Sequence, residues 1–192
     1  MAMETKLTFH LCETRLGWIG LVLSPGGLRA TTLPRPSRDE ALREIAEMGA
    51  LEPASEAEAG DLPRRLRDFA DGRRVDPSTG SGQALTADID WGHISGFRRA
   101  VLEETMRIPA GETRSYGWLA RKVGRPRAAR AVGRVMATNP FPNVVPCHRV
   151  VGSDGALHGY GGGLDVKAAL LRLEGARGGG GLVYRASLMT DP

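Results

Sequence analysis

The chain has 192 residues and a mass of 20.5 kDa, a length that allows one or two hydrophobic cores. Its composition, with 41% hydrophobic and 25% charged residues, is typical of a globular protein. It has no apolar run long enough to span a bilayer and no signal-peptide core, and its two cysteines, Cys12 and Cys147, are too few for a disulfide framework. The net charge of +4 divides into −4 over residues 1–90 and +8 over residues 91–192. The basic half is typical of nucleic-acid binding, although a solvated arginine surface would carry the same charge, and the few thiols favour an intracellular location.

Residues 1–90 are predicted to form an α/β domain, a small antiparallel sheet with helices. Alternating or apolar runs separated by turn residues predict three strands, Lys6–Glu13, Trp18–Leu23 and Leu28–Leu33. Ser37 is the predicted N-cap of an amphipathic helix that reaches Ala46, and a second helix covers Leu62–Ala70. The small, acidic stretch Gly49–Gly60 is predicted to be an exposed linker loop, and a short strand is predicted at Leu85–Ile89.

Residues 91–176 are predicted to form a mainly α domain that contains a helix-turn-helix and the loop with Cys147. Helices are predicted over Gly96–Ile108 and over Ser115–Val123, where Ser115 is the cap and Trp118 and Leu119 face inward. The turn Gly124-Arg125-Pro126 leads to another helix, Arg127–Thr138, so the pair predicts a helix-turn-helix.

The second of these helices has a small and basic surface. Four small residues (Ala128, Ala129, Ala131 and Gly133) are surrounded by four arginines (Arg125, Arg127, Arg130 and Arg134). Small side chains let a helix backbone approach a groove of DNA closely while arginines reach phosphates or bases. Tight packing between helices is the alternative explanation of the small residues, but it does not require the arginines.

The helix is predicted to stop at Asn139, because the residue before a proline is displaced from the α region. Pro140, Pro142 and Pro146 then predict a stiff, extended segment that delivers Cys147. Asn139 can hold the bend through a bond to neighbouring backbone, or it can be merely a turn residue.

Cys147 is followed directly by His148, which could take the thiol proton and so produce the nucleophilic thiolate. Adjacent side chains of an extended chain point in opposite directions, so a bridging water is more natural than direct contact. A histidine in this role needs an orienting carboxylate. Three are near in the sequence: Asp154, Asp165 and Glu174. An inert Cys-His pair would have the same spacing.

Pro146-Cys147-His148-Arg149-Val150 resembles the active-site signature of the O6-alkylguanine-DNA alkyltransferases, the methylated-DNA–protein-cysteine methyltransferases. Further motifs fall in this family's order and spacing: Ile108-Pro109-Ala110-Gly111-Glu112, Ser115-Tyr116, Ala128–Gly133, Asn139-Pro140, Gly159–Leu164 and Leu173-Glu174-Gly175. The resemblance covers residues 97–176, and residues 1–90 are similar only to the family's variable N-terminal domain.

The resemblance implies that Cys147 attacks the alkyl carbon on O6 of a flipped-out guanine in duplex DNA and keeps the alkyl group as a thioether, in a single turnover. O4 of thymine is a second lesion that it suggests. His148 would deprotonate the thiol through a water, with Glu174 as its orienting carboxylate. Tyr116 would donate to guanine N3, and Asn139 would be the hinge between the DNA-reading helix and the catalytic loop.

The resemblance also implies a substrate pocket and a DNA-binding face. The pocket residues are Tyr116, Pro142, Val150, Tyr160 and Gly161. The DNA-binding residues are Ser115, Arg127, Ala128, Ala129, Arg130, Ala131, Gly133 and Arg134. Arg130 would fill the space left by the extruded base. Gly161 departs from relatives that have a hydroxyl residue there, so only its backbone can contact O6, and His158 has no assigned role.

The sequence predicts no cofactor, no metal and no membrane partner, and the protein is expected to be monomeric. His10 and Cys12 could form half of a metal site on one strand, but no two further ligands stand at convincing positions. Residues 177–192 are predicted to be a Gly-rich tail, with a short strand at Leu182–Leu188. Two other functions are considered: a lesion-binding module in which Cys147 is dispensable, and a Cys-His hydrolase, for which no oxyanion site is evident.

Overall fold

The computed structural model describes residues 6–49, 52–73 and 87–176. They form two compact units: residues 6–49, 52–73, 87–94 and 140–144 in the first, and residues 95–139 and 145–176 in the second. The predicted tail 177–192, its strand Leu182–Leu188, and residues 85 and 86 of the predicted strand Leu85–Ile89 lie outside the described residues. Within the rest of that predicted strand, Ile89 forms an isolated parallel bridge with Leu28. Among the described helices, none is both long and apolar enough to cross a membrane.

The first unit is built on a four-stranded sheet with the order β3-β2-β1-β4. The strands β1 (Thr8–Thr14), β2 (Gly17–Ser24) and β3 (Gly27–Thr31) form the predicted antiparallel meander. The sheet is nevertheless mixed, because the two-residue strand β4 (Glu52–Pro53) pairs in parallel with β1. The exposed loop predicted over Gly49–Gly60 therefore contains an edge strand, whose side chains are exposed as expected.

Two helices cover this sheet. α1 (Arg38–Glu47) begins at the predicted cap, where the Ser37 hydroxyl accepts the N–H of Glu40 at 3.2 Å. Its Ile45 packs with Val22 and Ala30 in the core of the unit. α2 (Leu62–Ala70) has the predicted bounds.

Residues 87–94 and 140–144 complete the first unit from distant parts of the sequence. Asp90 accepts hydrogen bonds from the Ser24 hydroxyl (2.7 Å) and from Arg29 (3.1 Å). Thr31 donates from its backbone N–H to the Pro140 carbonyl (2.8 Å) and from its hydroxyl to the Pro142 carbonyl (2.7 Å). These bonds join both segments to the β2–β3 hairpin.

The second unit is mainly helical, as predicted. Its helices are α3 (Gly96–Met106), α4 (Tyr116–Lys122), α5 (Ala129–Ala137) and α6 (Leu164–Leu173). The apolar faces of α3, α4 and α5 pack together through fully buried Val101, Leu119 and Val132. Ser115 caps α4 as predicted, with its hydroxyl accepting the N–H of Trp118 at 3.1 Å. The strands β5 (Arg114–Ser115) and β6 (Val150–Val151) form a short parallel pair.

Two predictions about α4 and α5 were wrong in detail. α5 begins at Ala129 and not at Arg127, because the chain first makes a turn in which the N–H of Ala128 donates to the carbonyl of Arg125 at 2.8 Å. Trp118 does not face inward like Leu119: it is half-buried, and the cations of Arg114 and Lys122 lie 5.4 and 5.3 Å from its ring centroid.

The segment between α5 and Cys147 is not extended, contrary to the prediction from its prolines. Residues 142–144 form a turn, and Asn143 lies in the left-handed region with φ 71°. Asparagine tolerates this conformation better than most residues. The prolines at 140, 142 and 146 fix φ locally, but they leave the direction of the chain to the residues between them.

Candidate active site

Cys147 lies in a 3₁₀ turn, Cys147–Arg149, which follows Pro146 and leads into β6. The N–H of Arg149 donates to the Pro146 carbonyl at 2.9 Å and closes the turn. All three side chains are buried, with 5%, 1% and 4% of the surface of Cys147, His148 and Arg149 exposed. The extended backbone on which the sequence argument placed Cys147 and His148 on opposite sides is therefore absent at this point.

Glu174, the residue that follows α6, is the carboxylate that meets this turn. Its Oε1 lies 2.9 Å from His148 Nε2 and 2.7 Å from Arg149 Nη2, and its Oε2 accepts from Arg149 Nε at 2.9 Å. The other two carboxylates proposed from the sequence lie elsewhere: Asp165 is exposed in the first turn of α6, and Asp154 is 3.9 Å from the exposed His158. Geometry thus selects Glu174.

The environment of Glu174 keeps it ionised. Burial by itself would raise the pKa of this carboxyl, but the charge and hydrogen bonds of His148 and Arg149 outweigh burial and lower the pKa to about 2. Because Glu174 engages His148 Nε2, the other ring nitrogen, Nδ1, is the one that can serve the thiol.

The thiol itself is disfavoured as an anion, since burial raises the pKa of Cys147. Three neighbours oppose that effect and lower the pKa: Asn139, Lys167 and Tyr160. Asn139 stands just after α5, and its Nδ2 donates to the carbonyl of Val145 at 3.0 Å. The bond connects the end of α5 to the chain two residues before Cys147, where the resemblance implies a hinge.

Two tyrosines flank the thiol. Tyr116 is the first residue of α4, and the β5–β6 pairing of Ser115 with Val151 brings this helix start next to the strand that follows the Cys147 turn. Burial, then the charge of Cys147, raises the pKa of both Tyr116 and Tyr160. Each phenol therefore stays protonated at neutral pH and can donate a hydrogen bond.

Tyr116 and Tyr160 both line a cleft of about 810 Å³ in the second unit. One wall comes from α4 and α5 and includes Arg130 and Gly133, and the other comes from residues 152–161. The lining residues are Tyr116, Gly117, Ala129, Arg130, Gly133, Ala137, Gly152, Ser153, His158, Gly159, Tyr160 and Gly161. A cleft of this size is within the range of small-molecule sites.

The remaining residues predicted to bind DNA lie around the same helix. Arg127 is exposed and Ala128 is half-buried in the turn before α5, while Ala131 is half-buried and Arg134 exposed within it. Ser115 caps α4. Their contact with DNA stays a prediction.

Two predicted pocket residues do not line the cleft. Val150 is fully buried as the first residue of β6, and its carbonyl accepts a bond from Lys167 Nζ at 2.6 Å. Pro142 lies in the first unit, where its carbonyl accepts from Thr31.

Sequence reasoning gave no role to Arg149 or Lys167, yet both are buried charged residues beside Cys147. A signal for Lys167 was available: it is one of only three lysines in the chain and stands in the otherwise apolar run Val166–Leu171. His10 and Cys12, considered from the sequence as half of a metal site, contact backbone carbonyls instead. His10 Nδ1 is 3.3 Å from the Ala54 carbonyl, and the Cys12 thiol donates to the Pro63 carbonyl. Among the described residues, no group of three or more His, Cys, Asp or Glu side chains could hold a metal.

Comparison with known proteins agrees with the resemblance. The family described as "6-O-methylguanine DNA methyltransferase, DNA binding domain" matches residues 96–176. Methylated-DNA--protein-cysteine methyltransferases of Mycolicibacterium paratuberculosis and Methanosarcina acetivorans are 58% and 50% identical to this chain over 80 residues. Each alignment covers 42% of this chain, and 48% and 51% of the respective relative. The chain thus aligns with about half the length of these curated relatives.

Solved structures extend the similarity to both units. The crystal structure of Mycobacterium tuberculosis O6-methylguanine methyltransferase has a TM-score of 0.68 and 31% identity, over 88% of this chain and 92% of that one. The structure of Mycobacterium tuberculosis OGT in complex with DNA has a TM-score of 0.66 and 32% identity, over 88% and 93% of the two chains.

Proposed function

The chain belongs to the O6-methylguanine-DNA methyltransferase family, and we propose that it repairs DNA by moving an alkyl group from O6 of a damaged guanine to its own Cys147. One observation carries the proposal. The buried thiol of Cys147 shares a turn with His148, and the imidazole of His148 is held by the ionised Glu174 at 2.9 Å. This is the nucleophile, base and orienting group that an activated cysteine requires.

In the proposed reaction, the proton of Cys147 passes through a water to His148, and Sγ attacks the alkyl carbon. The new C–S bond forms as the bond between carbon and O6 breaks, and the bonding electron pair leaves with the guanine. Tyr116 donates a hydrogen bond to N3 of that guanine and so stabilises the departing anion, which then takes a proton from solvent. Tyr116 is suited to this because burial raises its pKa and keeps it protonated.

The product explains a single turnover. A thioether at Cys147 has no good leaving group and no longer contains the thiol, so one protein molecule repairs one lesion. We infer that it acts as a monomer, inside the cell where DNA is, and without a cofactor.

The alkylated base must leave the duplex to reach a buried thiol, which costs a few kcal/mol in lost stacking and pairing. We assign the compensation to Arg130, which is exposed on α5 and lines the cleft beside Gly133. The small residues Ala129 and Gly133 let α5 approach DNA closely. Asn139 links the end of α5 to Val145, two residues before Cys147.

Intact-protein mass after mixing with a duplex that contains one O6-methylguanine tests the transfer. We expect one methyl group in place of one hydrogen, mapped to Cys147, and an unmodified chain with the undamaged duplex. The chain supplies a matched control, because Cys12→Ser should still gain the methyl group while Cys147→Ser should not. A wild-type chain that binds the lesion duplex tightly but gains no mass would instead be a lesion-binding module.

Arg130→Ala tests the assignment of base extrusion. We expect the rate with methylated duplex to fall about 10- to 100-fold, from a flipping cost of a few kcal/mol, while the rate with free O6-methylguanine base hardly changes. Arg134→Ala, on the same helix but away from the cleft lining, is the control for loss of general DNA affinity. Equal losses on duplex and free base would remove Arg130 from this role.

A further inference from the structure

Lys167 is a buried cation that has no acidic partner among the described residues. It lies in the middle of α6 with 1% of its surface exposed, and its Nζ donates to the carbonyls of Val150 (2.6 Å) and His158 (3.1 Å). Within residues 6–49, 52–73 and 87–176, no carboxylate forms an ion pair with it. A buried charge is costly unless it is compensated, and two neutral carbonyls compensate it only in part.

The charges around Lys167 leave one group that can balance it. Glu174 is already engaged by Arg149 through two hydrogen bonds and by His148. The other titratable side chains next to the thiol are Tyr116 and Tyr160, which stay neutral because burial raises the pKa of each. Cys147 is the remaining acidic group, and it becomes negative when it is activated.

We propose that Lys167 is a positioning residue whose ammonium is the counter-charge of the Cys147 thiolate. Its two hydrogen bonds fix strand β6 and residues 152–161, which form one wall of the cleft, around that thiolate. The proposal rests on the assignment of Cys147 as the nucleophile. His148 and Lys167 then have separate tasks. His148 takes the thiol proton, and Lys167 keeps all of its protons and stabilises the anion that remains.

The pKa shifts of Lys167 and Cys147 agree with the burial and contacts of Lys167. Burial lowers the pKa of Lys167 to about 8, and the charge of Cys147 acts in the opposite direction. Reciprocally, Lys167 is one of the groups that lower the pKa of Cys147 against the effect of burial. At neutral pH Lys167 is therefore still an ammonium and can act on the thiolate.

The test measures thiol reactivity without DNA. The rate at which iodomethane methylates Cys147 is followed from pH 6 to 10 by peptide mass, which separates Cys147 from Cys12. Lys167→Met removes the charge and the donor, whereas Lys167→Gln removes the charge and keeps a donor. Lys122→Met is the matched control, since Lys122 is an exposed lysine of the same unit.

We expect both Lys167 variants to raise the midpoint of the Cys147 pH profile by at least about one unit, which is at least a tenfold loss of rate near pH 7. Lys122→Met should reproduce the wild-type profile. A wild-type midpoint in Lys167→Met would overturn the proposal. A wild-type midpoint in Lys167→Gln would overturn it too, because the hydrogen bonds alone would then suffice. Thermal unfolding reports whether each variant folds.

A second measurement does not depend on those variants folding. Lys6, Lys122 and Lys167 are the only lysines, so ¹³Cε-lysine NMR resolves three titrations. The Lys167 midpoint should be higher in the wild type than in Cys147→Ser, with the other two lysines unchanged, and an identical Lys167 midpoint would contradict the pairing. Both assays omit DNA. A chain that fails to repair methylated duplex but shows these shifts would refute the repair function and leave the counter-charge in place.

Discussion

Removal of the negative charge of Glu174 should destabilise the second unit, because this carboxylate is buried in an ion pair with Arg149. Glu174→Gln leaves the buried Arg149 guanidinium without its counter-ion and leaves His148 with a neutral partner. Breaking one partner of a buried ion pair costs about 3–5 kcal/mol. The pKa of Glu174 gives a similar free energy: its fall from 4.5 to about 2 on folding corresponds to about 3 kcal/mol of stability at neutral pH.

The pH dependence has a definite sign. The pKa of Glu174 is lower in the folded chain than in the unfolded chain, so its contribution is complete above about pH 4.5 and disappears as the pH falls through about 2. Urea unfolding of wild type and Glu174→Gln at several pH values measures this. We expect a difference of about 3 kcal/mol at pH 7 that shrinks steadily between pH 4.5 and 2.

The control is Glu103→Gln, which breaks the exposed pair between Arg99 and Glu103 one helical turn apart and should cost under about 0.5 kcal/mol. If Glu174→Gln lost no more than this control, or if its loss did not change with pH, the reasoning about a buried charged cluster would be refuted. The variant should also slow methylation of Cys147, because His148 loses the group that fixes its orientation.

Two further predictions concern stability away from the transfer step itself. Lys167→Met should be more stable than wild type at pH 7, and this difference in the free energy of unfolding should fall by about 3 kcal/mol between pH 8 and 10.5. The reason is that the folded chain releases the Lys167 proton near pH 8 and the unfolded chain releases it near 10.5. Urea unfolding of both chains across this range measures the difference, and a difference that stays constant with pH would contradict the prediction. Gly20→Ala should destabilise the first unit by about 1–3 kcal/mol, since a Cβ there would stand 2.4 Å from the Cδ1 of the fully buried Ile45. The folded fraction of Gly20→Ala should still methylate Cys147 at the wild-type rate, and a Gly20→Ala chain as stable as wild type would show that Ile45 moves aside freely.

Local signals in the sequence were sufficient for most helices. The bounds of α2 were predicted correctly, and the caps Ser37 and Ser115 form the predicted bonds. Each depends on residues within one or two turns, such as a hydroxyl that accepts the N–H three residues later. Similar reasoning gave the three antiparallel strands, whose pairings join neighbours in the chain.

Features that depend on distant residues were missed. The segment after α5 bends because residues 140–144 bond to Thr31, more than a hundred positions earlier, and because Asn143 adopts a left-handed conformation. The parallel strand β4 pairs with β1 across forty residues of sequence. No periodicity in a short stretch can report such contacts.

The site shows the same division between local and distant information. Spacing alone presented Asp154, Asp165 and Glu174 as equal partners for His148. The resemblance implied Glu174, and the packing of the end of α6 against the turn Cys147–Arg149 places its carboxylate 2.9 Å from His148. Lys167 could have been suspected from composition, because a chain with 26 basic residues uses lysine only three times. Arginine would not fit this position, because its guanidinium has five N–H donors that need acceptors, whereas the lysine ammonium has three. The guanidinium also stays charged when it is buried, while burial can lower the pKa of a lysine towards neutrality. A compact ammonium with two carbonyl partners can be buried beside a thiol, and this explains why an arginine-rich sequence has a lysine there.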